Sequence, residues 1–198
     1  TGATVPAAVF ATTGQDAIVD WVVVERRDPN APATVLDRVP ALLQRDGDVV
    51  DLDGTSVLRF AVNGPAFHLA VRHRNHLAAM SKDPVGFGLQ SATLDLTQPA
   101  TQTFGTNAQA LVDSRAALWA GDCNDDGTVR YTGASNDRDL VLQSIGGAIP
   151  TAVAFGYIAT DVNLDGVVRY GGGNNDRDVM LVVIGGAVPT AVRVQQLP

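Results

Sequence analysis

An acidic segment that occurs twice in register constrains this chain more than any other feature. The sequence DCNDDGTVRYTGASNDRD spans residues 122–139, and DVNLDGVVRYGGGNNDRD spans residues 161–178, 39 positions further along. Like charges this close together repel each other, so a segment that keeps them in both copies needs a positive partner. The pattern predicts two cation-binding loops in a duplicated C-terminal region, with repeats at 122–154 and 161–193. We call residues 122–139 the first loop and residues 161–178 the second loop.

Each loop begins with D-x-N-x-D-G, the pattern of positions 1, 3, 5 and 6 of an EF-hand-type calcium loop. Alternate side chains of such a tight turn point inward, so three short oxygen-bearing side chains converge on one ion. Glycine at position 6 lets the backbone turn sharply, and the carbonyl of the next residue then also faces the ion. The predicted calcium ligands are Asp122, Asn124, Asp126 and Thr128 in the first loop, and Asp161, Asn163, Asp165 and Val167 in the second.

The far end of each loop departs from that pattern. Position 12, where a bidentate acid usually closes the loop, is Gly133 or Gly172. Position 9 is Arg130 or Arg169, and these cations are expected to point away from the ion. The closing acids are expected to be Asp139 and Asp178, with Asp137 and Asp176 as helpers or helix caps, so that the intervening segment bulges outward.

A short apolar helix is predicted after each loop, at about 139–145 and 178–184. Each helix is followed by a Gly-Gly stop and an extended PTAV tail. Amide and acid side chains favour helix N-caps. The N-cap candidates are Asn136 or Asp137 for the first helix, and Asn175 or Asp176 for the second.

Paired loops of this kind, each running into a short helix, resemble the type I dockerin family over residues 120–185. The resemblance implies a duplicated, EF-hand-like calcium-binding module. It also implies an alternative function, an anchoring module that binds a cohesin-like receptor. The period of 39 residues and the inserted RY…NDRD segment depart from the dockerin repeat.

Two segments ahead of the repeats, ALLQRDGDVVDLDG (41–54) and VRHRNHL (71–77), look like parts of large secreted bacterial surface proteins. Those proteins are grouped as dockerin-containing, hemagglutinin-like or adhesin-like. This resemblance implies a secreted, extracellular location associated with the cell surface, where calcium is abundant.

The charge composition favours a chain rich in strands and loops. Glu25 is the only glutamate and Lys82 the only lysine, so nearly all charge is carried by Asp and Arg. Asp favours turns and metal loops, whereas exposed helices use Glu and Lys. The net charge of −7 argues against a nucleic-acid partner. No apolar run is long enough for a transmembrane segment, and the single cysteine, Cys123, excludes a disulfide framework.

The fold class expected is mainly β, with an N-terminal Ig-like β-sandwich followed by a small dockerin-like module of two calcium loop–helix repeats. Short β-prone runs separated by Gly, Pro and Asp turns carry the sandwich prediction. Those runs lie at 17–25, 34–44, 48–54, 56–62, 66–74 and 92–98. The predicted division of the chain is an extended segment at 1–16, the sandwich at 17–110 and the repeat domain at 111–198.

The N-terminal stretch TGATVPAAVFATT is small, uncharged and β-prone. As a strand it would place Val5, Ala7 and Val9 on one face, and Ala8 and Phe10 on the other. Such a strand could add to the sheet of a neighbouring subunit and build an open filament, or it could pair within its own sandwich. Both interpretations stay open at this point.

Two weaker polar clusters precede the repeats. Asp48, Asp51 and Asp53 could form a third calcium site, or they could belong to two Asp-Gly turns around a short strand. His68, His73 and His76 are the only histidines, and they lack the spacing of a metal or catalytic motif, which favours a polar strand end.

The sequence therefore favours an extracellular, calcium-stabilised structural protein that self-associates into a homopolymer by strand addition. A surface glycan or a protein receptor is a possible partner. No nucleophile motif and no phosphate-binding loop occurs, and no carboxylate pair stands outside the metal loops, so an enzyme is not expected.

Overall fold

The computed structural model describes residues 2–60, 64–87 and 91–198. Strands account for 32% of the chain and helices for 11%, and the sheets are antiparallel, which confirms a mainly β protein. The chain divides into two compact units. The first unit comprises Thr1–His73, Ala79–Ala117 and Gln196–Pro198, and the second comprises Arg74–Ala78 and Leu118–Gln195. Within the described residues, no helix has the length and apolar character needed to cross a membrane.

A six-stranded antiparallel sheet dominates the first part of the chain. Its strands are β1 (Ile18–Arg27), β2 (Val35–Gln44), β3 (Val49–Val50), β4 (Ala66–His73), β5 (His76–Met80) and β6 (Val85–Gly86). The spatial order is β3-β2-β1-β4-β5, and β6 pairs with β4. The predicted runs at 17–25, 34–44 and 66–74 thus form strands.

Alternation along β1 and β2 builds a small core. Val22 and Val24 of β1 are buried with Ala41 of β2, because residues two apart on a strand face the same side. Pro40 lies inside β2 although proline cannot donate to a ladder. The strand β3 pairs only with Leu42 and Leu43, so β2 is an edge strand at Pro40 and tolerates the missing N–H.

The structure does not confirm a two-sheet sandwich. In the described residues, the remaining strands of this part are only β7 (Gln109–Val112) and β8 (Arg115–Leu118), which form a separate hairpin. The strand predicted at 92–98 is absent, because Asp95 closes a turn there: both the N–H and the hydroxyl of Thr97 donate to its carboxylate. Part of the predicted run 56–62 lies outside the described residues.

Glu25 lies at the centre of a buried charge cluster in the first unit. Its side chain is fully buried, and Arg27 donates to Oε2 through two nitrogens at 2.6 and 2.8 Å. Arg38 and Arg72 donate to Oε1 at 2.9 and 2.8 Å. Burial by itself raises the pKa of Glu25, but the hydrogen bonds from Arg38 and Arg27 lower it overall. The only glutamate is therefore a structural counter-charge for three arginines.

The N-terminal segment is not the extended strand that the sequence predicts. Residues Ala7–Ala11 form a 3-10 helix that follows Pro6. Within it, Val9 approaches Gly54 of the same chain so closely that a Cβ at Gly54 would lie 2.6 Å from Val9 Cγ1. Val5 is half-buried, whereas Ala7 and Phe10 are exposed. Donation of this segment to a neighbouring sheet would require the turn to unwind.

The two repeats exchange their strands. The elements of this part are β9 (Thr128–Arg130), α1 (Asp137–Ser144), β10 (Val153–Phe155), β11 (Val167–Arg169), α2 (Asp176–Val183) and β12 (Val192–Val194). The loop strand β9 of the first repeat pairs with the tail β12 of the second, and β10 pairs with β11. Each repeat thus completes the other, and the predicted helices are confirmed. The PTAV tails are extended only from Val153 and Val192 onward, because the residues before them form turns.

Both helices face one shared core. Val141 of α1 and Met180 of α2 are fully buried there, together with Val129 and Val168 from the two loop strands. Leu77 adds to the same cluster. The apolar helix faces are therefore used for packing, as the sequence predicts.

The first prediction concerns the Glu25 cluster. Glu25→Gln should lower the free energy of unfolding by about 3–5 kcal/mol, because it leaves buried Arg27 without its counter-charge. Urea denaturation monitored by tryptophan fluorescence measures this loss. Arg38→Gln is the matched control: its side chain is 60% exposed, so the expected cost is at most about 1 kcal/mol. Equal losses in the two variants would contradict the role assigned to the buried carboxylate.

Candidate metal centres

The first loop folds its backbone around the carboxylate of Asp122. This nearly buried side chain accepts from the N–H of Asp126 at 3.1 Å and from the N–H of Gly127 at 3.0 Å. Asn124 Oδ1 accepts from the same Asp126 N–H at 3.0 Å, and Asp126 Oδ1 accepts from Thr128 N at 2.9 Å. The side chains predicted for positions 1, 3 and 5 therefore belong to one nested turn.

The second loop repeats this hydrogen-bond network. Asp161 accepts from the N–H groups of Asp165 and Gly166, both at 3.1 Å. Asn163 Oδ1 accepts from Asp165 N, and Asp165 Oδ1 accepts from Val167 N, both at 2.9 Å. Two independent copies thus close in the same way, which indicates that the D-x-N-x-D-G segment specifies its own turn.

The acid that joins the first loop from the helix is Asp137, whereas the sequence favoured Asp139. Asp137 is fully buried and accepts from the N–H groups of Cys123 and Arg130, each at 2.8 Å. Asp139 turns to the helix N-terminus instead, where it accepts from the Asn136 side chain at 2.9 Å and pairs with Arg138. The reason is positional: Asn136 is the N-cap, and Asp139 lies three residues later, where its backbone N–H donates to the Asn136 side chain.

The second loop shows the same exchange of roles. Asp176 is fully buried, and its carboxylate accepts from the N–H groups of Val162 and Arg169 at 2.6 and 2.7 Å. Asp178 pairs with Asn175 and Arg177 at the helix start. Asp139 and Asp178 therefore contact the helix N-caps Asn136 and Asn175, whereas Asp137 and Asp176 accept hydrogen bonds from the loop backbone.

The sequence led us to expect that the position 9 arginines point away from the loops. This expectation is wrong. Arg130 Nη1 lies 2.6 Å from Asp126 Oδ2, and Arg169 Nη1 lies 2.6 Å from Asp165 Oδ2. Arg169 Nη1 also approaches the carbonyl oxygen of Val167 at 3.4 Å. A guanidinium thus contacts one predicted ligand in the first loop and two in the second, so a bound ion would compete with it or share the carboxylate.

Buried carboxylates dominate the electrostatics of both loops. Burial raises the pKa of Asp137 to about 6, against an ordinary value of 3.8, although two backbone N–H groups oppose the shift. Burial also raises the pKa values of Asp122 and Asp176, and neighbouring acids add to the effect. Burial is the largest cause of all three shifts, and a nearby cation would favour the charged forms of these acids.

The donor set fits a hard cation such as calcium in its chemistry. Each loop offers three carboxylates and one amide oxygen as side-chain donors, and the predicted set adds one backbone carbonyl; all of these are oxygen ligands. In the part of the chain that the structure describes, no three His, Cys, Asp or Glu side chains form a metal-holding group by themselves. Binding would therefore depend on the mixed set of carboxylate, amide and carbonyl oxygens. An open depression beside the second loop is lined by Asn163, Asp165, Asn174, Asn175 and Val179.

The inserted RY segments take part in packing and do not simply bulge outward. Tyr131 and Tyr170 are half-buried and pack against the shared core. Arg138 lies over the Tyr131 ring at 5.2 Å, and Arg177 lies over the Tyr170 ring at 5.1 Å. These contacts connect the start of each helix to its own loop.

The acids predicted as a third calcium site serve local turns. Asp53 is exposed and accepts from the N–H groups of Thr55 and Ser56 and from the Ser56 hydroxyl, which lower its pKa to about 2. Asp51 accepts from the next N–H in the chain. The N–H of Asp48 donates to Asp46. This geometry agrees with the alternative of two Asp-Gly turns and gives no support to a third ion.

The three histidines do not form a common site. His68 contacts the carbonyl of Ser81 at 3.1 Å, and His73 lies 3.0 Å from Asp20 with both side chains buried. His76 contacts the side chain of Asn75 at 2.8 Å. Each ring therefore has a separate structural partner, as expected for a polar strand end.

Sequence reasoning missed Arg74 and Asn75, which contact the second loop. The fully buried Asn75 donates to the carbonyl oxygens of Ala159 and Asp161 at 2.8 and 2.7 Å. Arg74 Nη2 lies 3.7 Å from Asp161 Oδ2, and its guanidinium lies over the Tyr157 ring at 4.1 Å. These residues precede the loop by more than eighty positions, so no local pattern pointed to them.

Comparison with known proteins adds no assignment: no family model, curated protein or solved structure matches this chain.

The second prediction uses the raised pKa of Asp137. Between the ordinary value of 3.8 and about 6, the folded protein binds more protons than the unfolded chain. Raising the pH through this window should therefore lower the free energy of unfolding, by up to about 3 kcal/mol in a chelator. Urea denaturation at pH 4, 5, 6 and 7 measures the slope, and Asp137→Asn should remove this part of it.

Asp139→Asn is the matched control for that experiment. The pKa of Asp139 is lowered by its hydrogen bonds with Asn136 and Arg138, so its loss should not flatten the fall between pH 4 and 6. If Asp137→Asn leaves the pH profile of the wild type unchanged, the buried acid is not the titrating group.

Proposed function

We propose that this chain is an extracellular structural protein whose second unit is stabilised by two calcium ions, one in each loop. The observation that carries the proposal is the duplicated turn network around Asp122 and Asp161. Each copy also contains a buried acid, Asp137 or Asp176, whose pKa is raised by burial. Asp126 and Asp165, the amides of Asn124 and Asn163, and the carbonyls of Thr128 and Val167 would complete the two donor sets. The ion supplies positive charge and holds the turn closed; the proposal includes no catalytic role.

The size of the second unit explains why an ion would matter there. A core of this size contributes only about 3–5 kcal/mol of net stability, and small domains often need an added constraint. No disulfide can supply it, because Cys123 is the only cysteine. A calcium site at ~100 times its dissociation constant would add ~2.7 kcal/mol. Two such sites would therefore be comparable with the core itself.

The proposal also includes a secreted location at the cell surface. The first unit of the protein would contribute its antiparallel sheet. The Ig-like sandwich and the dockerin-like classification stay predictions within this proposal. The strong acidity of the chain supports a partner other than nucleic acid, such as a surface glycan, a protein receptor or a second copy.

The anchoring alternative has less support from the described residues. It needs an exposed recognition face on the two short helices. Val141, Met180 and Val183 point into the core, and the most exposed apolar side chain on either helix is Val182. One exposed valine is a small basis for a receptor contact.

The third prediction tests calcium dependence. Adding calcium to chelator-treated protein should raise the melting temperature of the second unit by about 10 °C or more, since two sites would add several kcal/mol. Differential scanning calorimetry measures the shift. The double variant Asp126→Asn/Asp165→Asn should lose most of it, because both changes remove a ligand charge next to the ion.

Asp139→Asn/Asp178→Asn is the matched double control. It removes the same charge from residues that contact the helix N-caps, so the calcium-induced shift should survive even if the baseline stability falls slightly. An equal melting temperature with calcium and with chelator would overturn the proposed function.

The fourth prediction concerns assembly by strand addition. If residues 2–16 are donated between subunits, the 3-10 helix at Ala7–Ala11 must unwind, and Phe10 must become buried in the neighbouring subunit. Sedimentation should then show concentration-dependent polymers, and deletion of residues 2–16 should leave monomers. A monomer at high concentration in the full chain, with calcium present, would exclude the polymer while leaving calcium stabilisation intact.

A further inference from the structure

The two loops share a network but differ at position 4. This position is Asp125 in the first loop and Leu164 in the second. Both residues have left-handed backbone, with φ of 56° and 61°, a conformation that Asp and Asn adopt more readily than Leu. Asp125 stands between the predicted ligands Asn124 and Asp126 in the chain, so the first loop has an additional acid next to its ligands. The second loop has no carboxylate at this place.

Arg74 is a second difference between the loops, because it adds a positive charge to the second loop. Its guanidinium lies 3.7 Å from Asp161, the position 1 acid of the second loop, and its side chain is only 15% exposed. Stacking on Tyr157 and the adjacent Asn75 hydrogen bonds hold it there. Among the described ion pairs, the equivalent acid of the first loop, Asp122, has no arginine partner.

The formal charges of the two loops therefore differ by two units. Each loop has three acids, at position 1, at position 5 and at the helix start, and one arginine at position 9. These common charges are Asp122, Asp126, Asp137 and Arg130 in the first loop, and Asp161, Asp165, Asp176 and Arg169 in the second. The first loop adds Asp125, and the second adds Arg74. The common charges cancel in the comparison. The remaining difference consists of Asp125 in the first loop and of Arg74, 3.7 Å from the position 1 acid, in the second.

We infer that the two calcium sites are unequal, the first loop being the tight site and the second a weak site held weak by Arg74 and by the missing acid at position 4. This inference rests on the proposed function. A unit charge within a few ångströms of a divalent ion changes its affinity by about tenfold or more at low ionic strength. The second loop therefore fills only after the first, and it responds to calcium changes that leave the first loop saturated.

The amides of Gly127 and Gly166 report the two loops separately. Each donates to the position 1 carboxylate of its own loop, so ion binding at that carboxylate changes its environment directly. A calcium titration of the full chain, freed of metal by chelation and dialysis and followed by proton–nitrogen correlation spectra at low ionic strength, resolves both. The Gly127 signal should complete its change at a calcium concentration at least about tenfold lower than the Gly166 signal.

Substitutions at position 4 provide the matched pair. Leu164→Asp and Leu164→Asn both suit the left-handed backbone of this exposed residue, but only the first adds charge. Leu164→Asp should lower the calcium midpoint of Gly166 by about tenfold relative to Leu164→Asn, and neither should move the midpoint of Gly127. Equal midpoints in the two variants would overturn the electrostatic basis of the inequality.

Arg74→Gln tests the arginine itself. It should lower the Gly166 midpoint by about tenfold, whereas Arg74→Lys keeps the charge and should stay near the wild type. If Arg74→Gln does not fold, the two Leu164 variants decide the question alone.

The outcomes separate this inference from the function on which it rests. If both glycine signals change together at one calcium concentration, calcium binding stands and the inequality is refuted. If Gly166 responds first, the inequality is refuted in direction. If neither signal responds at millimolar calcium, the proposed function fails and this inference fails with it.

Discussion

The burial of carboxylates governs both units of this protein. A buried negative charge must gain hydrogen bonds or a positive partner that offset its lost hydration, or it becomes protonated. In the first unit, Glu25 gains three guanidinium partners, and its pKa falls below the ordinary value. In the second unit, the described hydrogen bonds to Asp137 and Asp176 come only from backbone N–H groups, and their pKa values rise. The lost hydration of the buried carboxylate is therefore offset in the first unit, and it is only partly offset in the second.

The raised pKa values of these buried acids are part of the basis for the proposed calcium sites in the second unit. Arg130 and Arg169 partly neutralise the loops through the exposed side of Asp126 and Asp165, but they do not contact the buried acids in the described ion pairs. A divalent ion at the proposed sites would add further positive charge. The arginine in each loop would lower the affinity for that ion by electrostatic repulsion.

Duplication and strand exchange make the two loops interdependent. Because β9 pairs with β12 and β10 pairs with β11, each loop strand is held by the tail of the other repeat. Val129 and Val168, at the centres of the loop strands, are both fully buried in the shared core. An ion that orders one loop therefore also stabilises packing to which the other repeat contributes, which is why the site and the fold of this unit cannot be treated separately.

The sequence by itself determined the repeat, the turn at each D-x-N-x-D-G segment, the helices with their Asn136 and Asn175 caps, and the mainly β character. These features depend on neighbouring residues, so local patterns reveal them. Tertiary structure decided which helix acid enters each loop, where Arg130 and Arg169 point, and that Arg74 meets Asp161. It also decided that residues 92–98 form no strand and that Ala7–Ala11 coil into a helical turn. Those outcomes depend on groups that are distant in the chain, or on competition between nearby caps and turns, which periodicity alone does not resolve.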